Sequence, residues 1–143
     1  MQQNVATSND VGDPGSGFGG GGIWNKGTVV VGNGSVLSEN QAFDGGAILT
    51  LGDVAISGSS RIASNQAGND GGGLNSNGGA ITVDASTVAS NTATRNGGGI
   101  FNTPEGAVTL DDPSVVADNT PNDCVGRNAC GAWPGFPGNR SAT

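Results

Sequence analysis

The sequence has no histidine and no tyrosine, and only five of its 143 residues are lysine or arginine. Lacking histidine, the chain is without the commonest general acid–base side chain and the commonest metal-binding ring. Five bases against twelve acids leave a net charge of −7, so no surface could neutralise a row of phosphates, and nucleic acid is excluded as a partner. No cluster of Lys and Arg is present to seat an anionic membrane. The longest unbroken apolar run, three residues as at 29–31, is far below the length that spans a bilayer, so direct membrane insertion is excluded too. The opening "MQQNVATSND" has neither a basic start nor an apolar segment and does not read as a secretory signal.

Cysteine is scarce. Cys124 and Cys130 stand close together in "DCVGRNAC", with no second pair and no histidine to complete a zinc site. The expectation is a local disulfide that ties down the tail and places the chain in an oxidising compartment, extracellular or at the cell surface. So small a loop adds stability near the low end of about 2–4 kcal/mol.

Glycine, by contrast, is abundant at 28 positions, about three times ordinary usage. Val, Ile, Leu and Phe together also number 28, near the composition at which chains stop burying enough apolar surface to fold. Position argues against disorder, because the aliphatics recur at fixed phase. Aligned on the glycine run, four copies begin "GGGIWNKGTVVV", "GGAILTLGDVAI", "GGGLNSNGGAITV" and "GGGIFNTPEGAVTL". The spacings from Ile23 to Ile48, Leu74 and Ile100 are 25, 26 and 26 residues.

Each copy reads as three short strands. The first carries Ile23, Ile48, Leu74 or Ile100. The second alternates through Val29 and Val31, Val54 and Ile56, Ile81 and Val83, or Val108 and Leu110. The third is assigned to Val36, Ile62, Val88 and Val115. Alternation is a strand signal, and no copy has helical spacing. A single coil of this kind cannot bury its own aliphatics; stacking coils at about 4.8 Å gives each row a partner and makes one continuous core. The expected fold is all-β: a short parallel β-helix of about four to five coils with three strands per coil, right-handed by the general chirality of parallel crossovers. Residues 20–123 form the coils, residues 1–19 an N-terminal cap or irregular segment, and residues 124–143 a C-terminal cap with a flexible tail, where Trp133 and Phe136 fold over the last coil.

The same stacking predicts columns of side chains. Asn40, Asn65, Asn91 and Asn119 share a phase and should form a hydrogen-bonded ladder at one corner. Gly21, Gly46, Gly72 and Gly98 fall where a Cβ would clash or φ must be positive, and Gly27, Gly52, Gly79 and Gly106 form a second glycine column. Ala42, Ala67 and Ala93 fill the narrow space after the Asn.

"ENQAFDGGAI" and "SNQAGNDGGGL" resemble the Gly-Gly-Ala-Ile repeats of polymorphic outer-membrane proteins, and the "GGGIxN" pattern is similar to right-handed β-helix repeats of secreted proteins in the pectate-lyase-like superfamily. The likeness spans about residues 20–124. It implies the β-helix fold; for activity it implies only a range, from lyases and hydrolases to adhesins and inert stalks.

Three features are candidates for function. Asp44 and Asp70 precede successive glycine runs, with Asn96 in the third place; stacked carboxylates are weak candidates for calcium, the one cofactor considered, and turn-forming Asp is the competing account. Asp53, Asp84, Asp111, Asp112, Glu39 and Glu105, with Arg61 and Arg95, are the groups a polysaccharide lyase or glycosidase would need, but they fall in different phases, so no catalytic residue is assigned. Trp24, Leu49 and Phe101, with Asn75 between them, each follow an inward aliphatic; an outward column of this kind is a possible surface contact for a glycan or a cell-surface protein. Thr82 and Thr109 share a phase with Val30 and Ala55, a poor start for an ice-binding threonine array. The expected function is a non-enzymatic extracellular module with a structural, adhesive or display role. The alternative is a truncated or degenerate carbohydrate-active β-helix protein. A thin core of four or so coils also predicts end-to-end self-association or dependence on the caps.

Overall fold

The computed structural model describes residues 19–126. The proposed caps, together with Cys130, Trp133 and Phe136, lie outside the described residues. Within that span every regular element is a strand. The first coil holds β1 (Ile23–Asn25), β2 (Thr28–Val31), β3 (Val36–Ser38) and β4 (Gln41–Ala42); the second holds β5 (Ile48–Thr50), β6 (Asp53–Ile56), β7 (Arg61–Ala63) and β8 (Gln66–Ala67). The third holds β9 (Leu74–Ser76), β10 (Ala80–Asp84), β11 (Thr87–Ala89) and β12 (Thr92–Ala93). In the fourth are β13 (Ile100–Asn102), β14 (Ala107–Asp111) and β15 (Val115–Ala117), after which β16 (Cys124–Gly126) begins a further turn.

Strands pair only with their equivalents in neighbouring coils, giving sheets ordered β1-β5-β9-β13-β16, β2-β6-β10-β14, β3-β7-β11-β15 and β4-β8-β12. All of the pairings are parallel. The chain is therefore a parallel β-solenoid of about four turns, as the repeat implies. The first three coils each have one strand more than the sequence suggested, β4, β8 and β12, which at two residues are too short for alternation to reveal; the fourth coil has the expected three. Ladder bonding also passes residue 123 into β16, where Cys124 pairs with Ile100.

The first aliphatic column forms as expected, with Ile23, Ile48, Leu74 and Ile100 in direct register. Rows from the second sheet, Val31–Ile56–Val83–Leu110 among them, meet it in one core. The third column needs correction. Leu37, Ile62, Val88 and Val116 are the stacked residues, while Val36 and Val115 face outward at 38% and 43% exposure. Both errors fall where two aliphatics adjoin, and there alternation cannot choose between them. Counting back three residues from each ladder Asn gives the correct set in all four coils.

The first glycine column divides its two predicted duties between adjacent residues. Gly45, Gly71 and Gly97 take φ of 61°, 70° and 60°. Gly46, Gly72 and Gly98 have ordinary φ, but a Cβ on any of them would strike backbone of the next coil, such as the Gly98 carbonyl beneath Gly72. The first residue of each pair bends the chain and the second lets coils approach to strand distance.

Candidate functional site

The corners carry the polar chemistry of the interior. Before each ladder Asn stands a residue in the left-handed region: Glu39, Ser64, Ser90 and Asp118, with φ of 58°, 59°, 58° and 58°. That kink turns each Asn into the coil, where all four are buried. Each amide donates to the next: Asn40 Nδ2 to Asn65 Oδ1, Asn65 Nδ2 to Asn91 Oδ1, and Asn91 Nδ2 to Asn119 Oδ1, all 2.9 Å. The same oxygens accept the backbone N–H groups of Asn40, Asn65 and Asn91 at 3.0, 2.9 and 2.9 Å. Asn91 Nδ2 and Asn119 Nδ2 also reach the Ile62 and Val88 carbonyls at 3.0 and 3.1 Å, tying the corner to the third sheet.

The ladder ends on a group the sequence analysis missed. Asp123, 1% exposed, accepts Asn119 N–H and Asn119 Nδ2 on its Oδ1 at 2.9 and 3.0 Å. It occupies the place of a fifth ladder residue, although it follows Asn119 by four residues and not by a full repeat. The carboxylate closes a row of amides whose N–H ends all point toward it. Only the shortened distance from Asn119 to the stacked Cys124 signals this in the sequence.

Two further buried polar columns escaped sequence reading. At the turn after the first strand, Asn25 Nδ2 donates to Thr50 Oγ1 at 3.0 Å, Thr50 Oγ1 to the Gly52 carbonyl at 2.6 Å, and Ser76 Oγ to the Gly79 carbonyl at 2.7 Å. At the next turn Ser86 Oγ accepts Ser60 N–H at 3.2 Å and Ser114 Oγ donates to the Val83 carbonyl at 2.8 Å.

Asp44, Asp70 and Asn96 do form a column, and Asn122 extends it. Asp44 Oδ1 accepts Asn69 Nδ2 at 2.9 Å and Asp70 N–H at 3.1 Å. Asp70 Oδ1 accepts Asn96 Nδ2 at 3.2 Å, and Asn122 Oδ1 accepts Gly97 N–H at 2.6 Å. Arg95 Nη1, on an exposed side chain, lies 3.9 Å from Oδ2 of the largely buried Asp70, a long and weak pair. Burial raises the Asp44 carboxyl above its ordinary 3.8, opposed by the hydrogen bonds from Asp70 N–H and Asn69. One oxygen of each carboxylate, Oδ1, is thus engaged with N–H donors from the next coil, the arrangement of a turn-stabilising column. Among the described residues no three His, Cys, Asp or Glu side chains gather to hold a metal ion.

The proposed outward column requires correction as well. Trp24, Leu49, Asn75 and Phe101 are in register, but Leu49 is fully buried and Asn75 is 2% exposed. The turn before each strand folds back over this position: Gly45 and Gly71 lie close against Leu49 and Asn75, and Asn75 Nδ2 donates to the Asp70 carbonyl at 3.2 Å. Trp24 alone is half exposed, with Lys26 Nζ 4.7 Å from its ring centre; Phe101 is half-buried.

The remaining acids are not all dispersed, contrary to expectation. Asp84 and Asp111 pair directly across β10 and β14, both exposed. Asp53 lies on β6 and accepts Ala80 N–H at 3.2 Å. The outer face of that sheet presents Val30, Ala55, Thr82 and Thr109 as one column, as the phase predicted.

Fold and geometry define a parallel β-solenoid whose buried Asn, Ser/Thr and Asp/Asn columns hydrogen-bond between coils. Comparison with family models, with curated proteins and with solved structures finds no match to this chain.

Proposed function

We propose that the chain is a non-enzymatic extracellular or cell-surface β-helix module with a structural, adhesive or display role. The observation that supports this reading most is the direction of the buried polar side chains: the Asn, Ser/Thr and Asp/Asn columns bond between coils, and the grouped acids Asp44 and Asp70 take part. A rod whose buried polar columns bond mainly between coils offers its outer faces as a periodic grid. The resemblance to secreted β-helix repeats and the expected Cys124–Cys130 bridge fit an oxidising, external location. A glycan or a cell-surface protein is the proposed partner class. Incubating the chain with pectin and related polysaccharides, then assaying reducing ends and unsaturated products, should show no turnover. Retention on the same polysaccharides, or on cells, is expected in its place.

The carbohydrate-active alternative draws support from Asp84 and Asp111. Parallel neighbours stand about 4.8 Å apart, near the separation of the two carboxyl groups in retaining glycosidases, about 5–5.5 Å. Turnover abolished by Asp84→Asn or Asp111→Asn would replace the display reading with this one. Inhibition of ice recrystallisation, lost on Thr82→Val, would replace both.

A further inference from the structure

The chain contains three Asn–Gly steps, Asn33–Gly34, Asn77–Gly78 and Asn96–Gly97. Such a step is prone to intramolecular attack because glycine puts no side chain in the path of its own amide nitrogen. The nitrogen must be free to shed its proton and approach the side-chain carbon, so a hydrogen bond that holds the N–H in place protects the step. The fold treats the three differently. Gly97 is buried, and its N–H donates to Asn122 Oδ1 at 2.6 Å while Asn96 Nδ2 is held on Asp70 Oδ1 at 3.2 Å. Gly34 is exposed, but its N–H donates to the Gly58 carbonyl at 2.8 Å. Gly78 is exposed, has φ of 113°, and its N–H makes no hydrogen bond among the described residues.

We infer that Asn77 is a site of spontaneous covalent modification, the one Asn–Gly step that the coil leaves open to deamidation. The Gly78 nitrogen bonds to Asn77 Cγ, the Cγ–Nδ2 bond breaks, and Nδ2 leaves as ammonia with the proton lost by the Gly78 amide. Water then opens the cyclic imide at either carbonyl, giving aspartate or isoaspartate. Both add a carboxylate to the surface. Isoaspartate also lengthens the backbone by one carbon in the turn between β9 and β10, two residues ahead of the Gly79 carbonyl that accepts Ala107 N–H at 3.2 Å. Loosening of the third coil against the fourth follows, so the open step acts as an ageing mark on the rod.

The test is peptide mapping by mass spectrometry after incubating the full folded chain in mildly alkaline buffer, with isoaspartate quantified at each site. Asn77 should convert at least about fivefold faster than Asn33 or Asn96, the factor expected from one net hydrogen bond. In guanidinium chloride, where all three are followed by an unrestrained glycine, the rates should converge. Asn122→Ala, which frees the Gly97 N–H, should speed conversion at Asn96 and leave Asn77 unchanged. Conversion at Asn33 or Asn96 as fast as at Asn77 in the folded chain would overturn the inference. So would a rate ratio that persists after unfolding.

Discussion

Replacing Asn91 by alanine removes one rung of the ladder from the middle of the coil stack. Two donors lose their acceptor: Asn65 N–H at 2.9 Å and Asn65 Nδ2 at 2.9 Å. Asn65 Nδ2 keeps the Leu37 and Ala63 carbonyls at 3.0 and 3.1 Å, so the lasting orphan on that side is the buried backbone N–H. On the other side, Asn119 Oδ1 loses the Asn91 amide but retains the backbone N–H of residue 91. A buried donor without a partner costs about 1–3 kcal/mol, and the vacated side-chain volume adds to it, giving about 2–4 kcal/mol in all. Against a total stability of roughly 5–15 kcal/mol for an ordinary domain, that is a large fraction. Asn91→Asp sharpens the test. It keeps the acceptor for Asn65 but turns a second oxygen toward Asn119 Oδ1 and the Ile62 carbonyl, and it buries a charge. It should destabilise more than alanine at neutral pH and recover in acid, where the protonated oxygen can donate. Urea unfolding followed by circular dichroism measures both, with exposed Thr92→Ala as the control, expected within about 0.5 kcal/mol of the parent. An alanine effect no larger than that of the control would refute the claim that the ladder holds the corner.

Asp123→Ala should cost about as much as losing an internal rung, about 2–4 kcal/mol, because it strips the acceptor from two buried donors of Asn119; Asp123→Asn keeps an acceptor and should cost much less in the same unfolding assay. Gly72→Ala should destabilise by about 2 kcal/mol or more through collision with the Gly98 carbonyl and the Thr92 backbone, whereas Gly27→Ala, with nothing nearer than 4.0 Å, should leave the melting temperature nearly unchanged. Because burial raises the Asp44 carboxyl above 3.8, the folded chain holds that proton more tightly than the unfolded chain. Its contribution to stability is therefore full below 3.8, falls as pH rises through the interval above that value, and stays constant beyond it. Asn69→Ala removes an opposing hydrogen bond and should widen that interval, while Asp44→Asn should abolish this part of the pH dependence, both read from unfolding curves across acid pH.

The aliphatic and amide columns were legible because stacked coils force equivalent residues to recur at nearly fixed spacing. Ile48 and Leu74 must be aliphatic, and Asn65 and Asn91 must be amides, for the same reason. What failed to show were features that depend on turn geometry. Val36–Leu37 and Val115–Val116 each offer two aliphatics to one inward position, and local alternation is silent between them. Leu49 reads as outward by alternation, yet the preceding turn folds over it. The Ser60–Ser86–Ser114 column sits in turns rich in Ser, Gly and Asp, where the buried hydroxyl looks like its exposed neighbours. Asp123 was hidden by its place in a contracted corner. Asp84 and Asp111 share a register only after the turn between β9 and β10 and the turn between β13 and β14 are counted residue by residue.

The most direct test of the account is whether residues one coil apart lie side by side. Methyl-labelled chain examined by nuclear Overhauser spectroscopy should show contacts between Ile48 and Leu74 and between Leu74 and Ile100, while Ile48 and Ile100, two coils apart at about 9.6 Å, should show none. Absence of the two neighbouring contacts, or a direct contact between Ile48 and Ile100, would contradict the stacked solenoid on which every column described above depends.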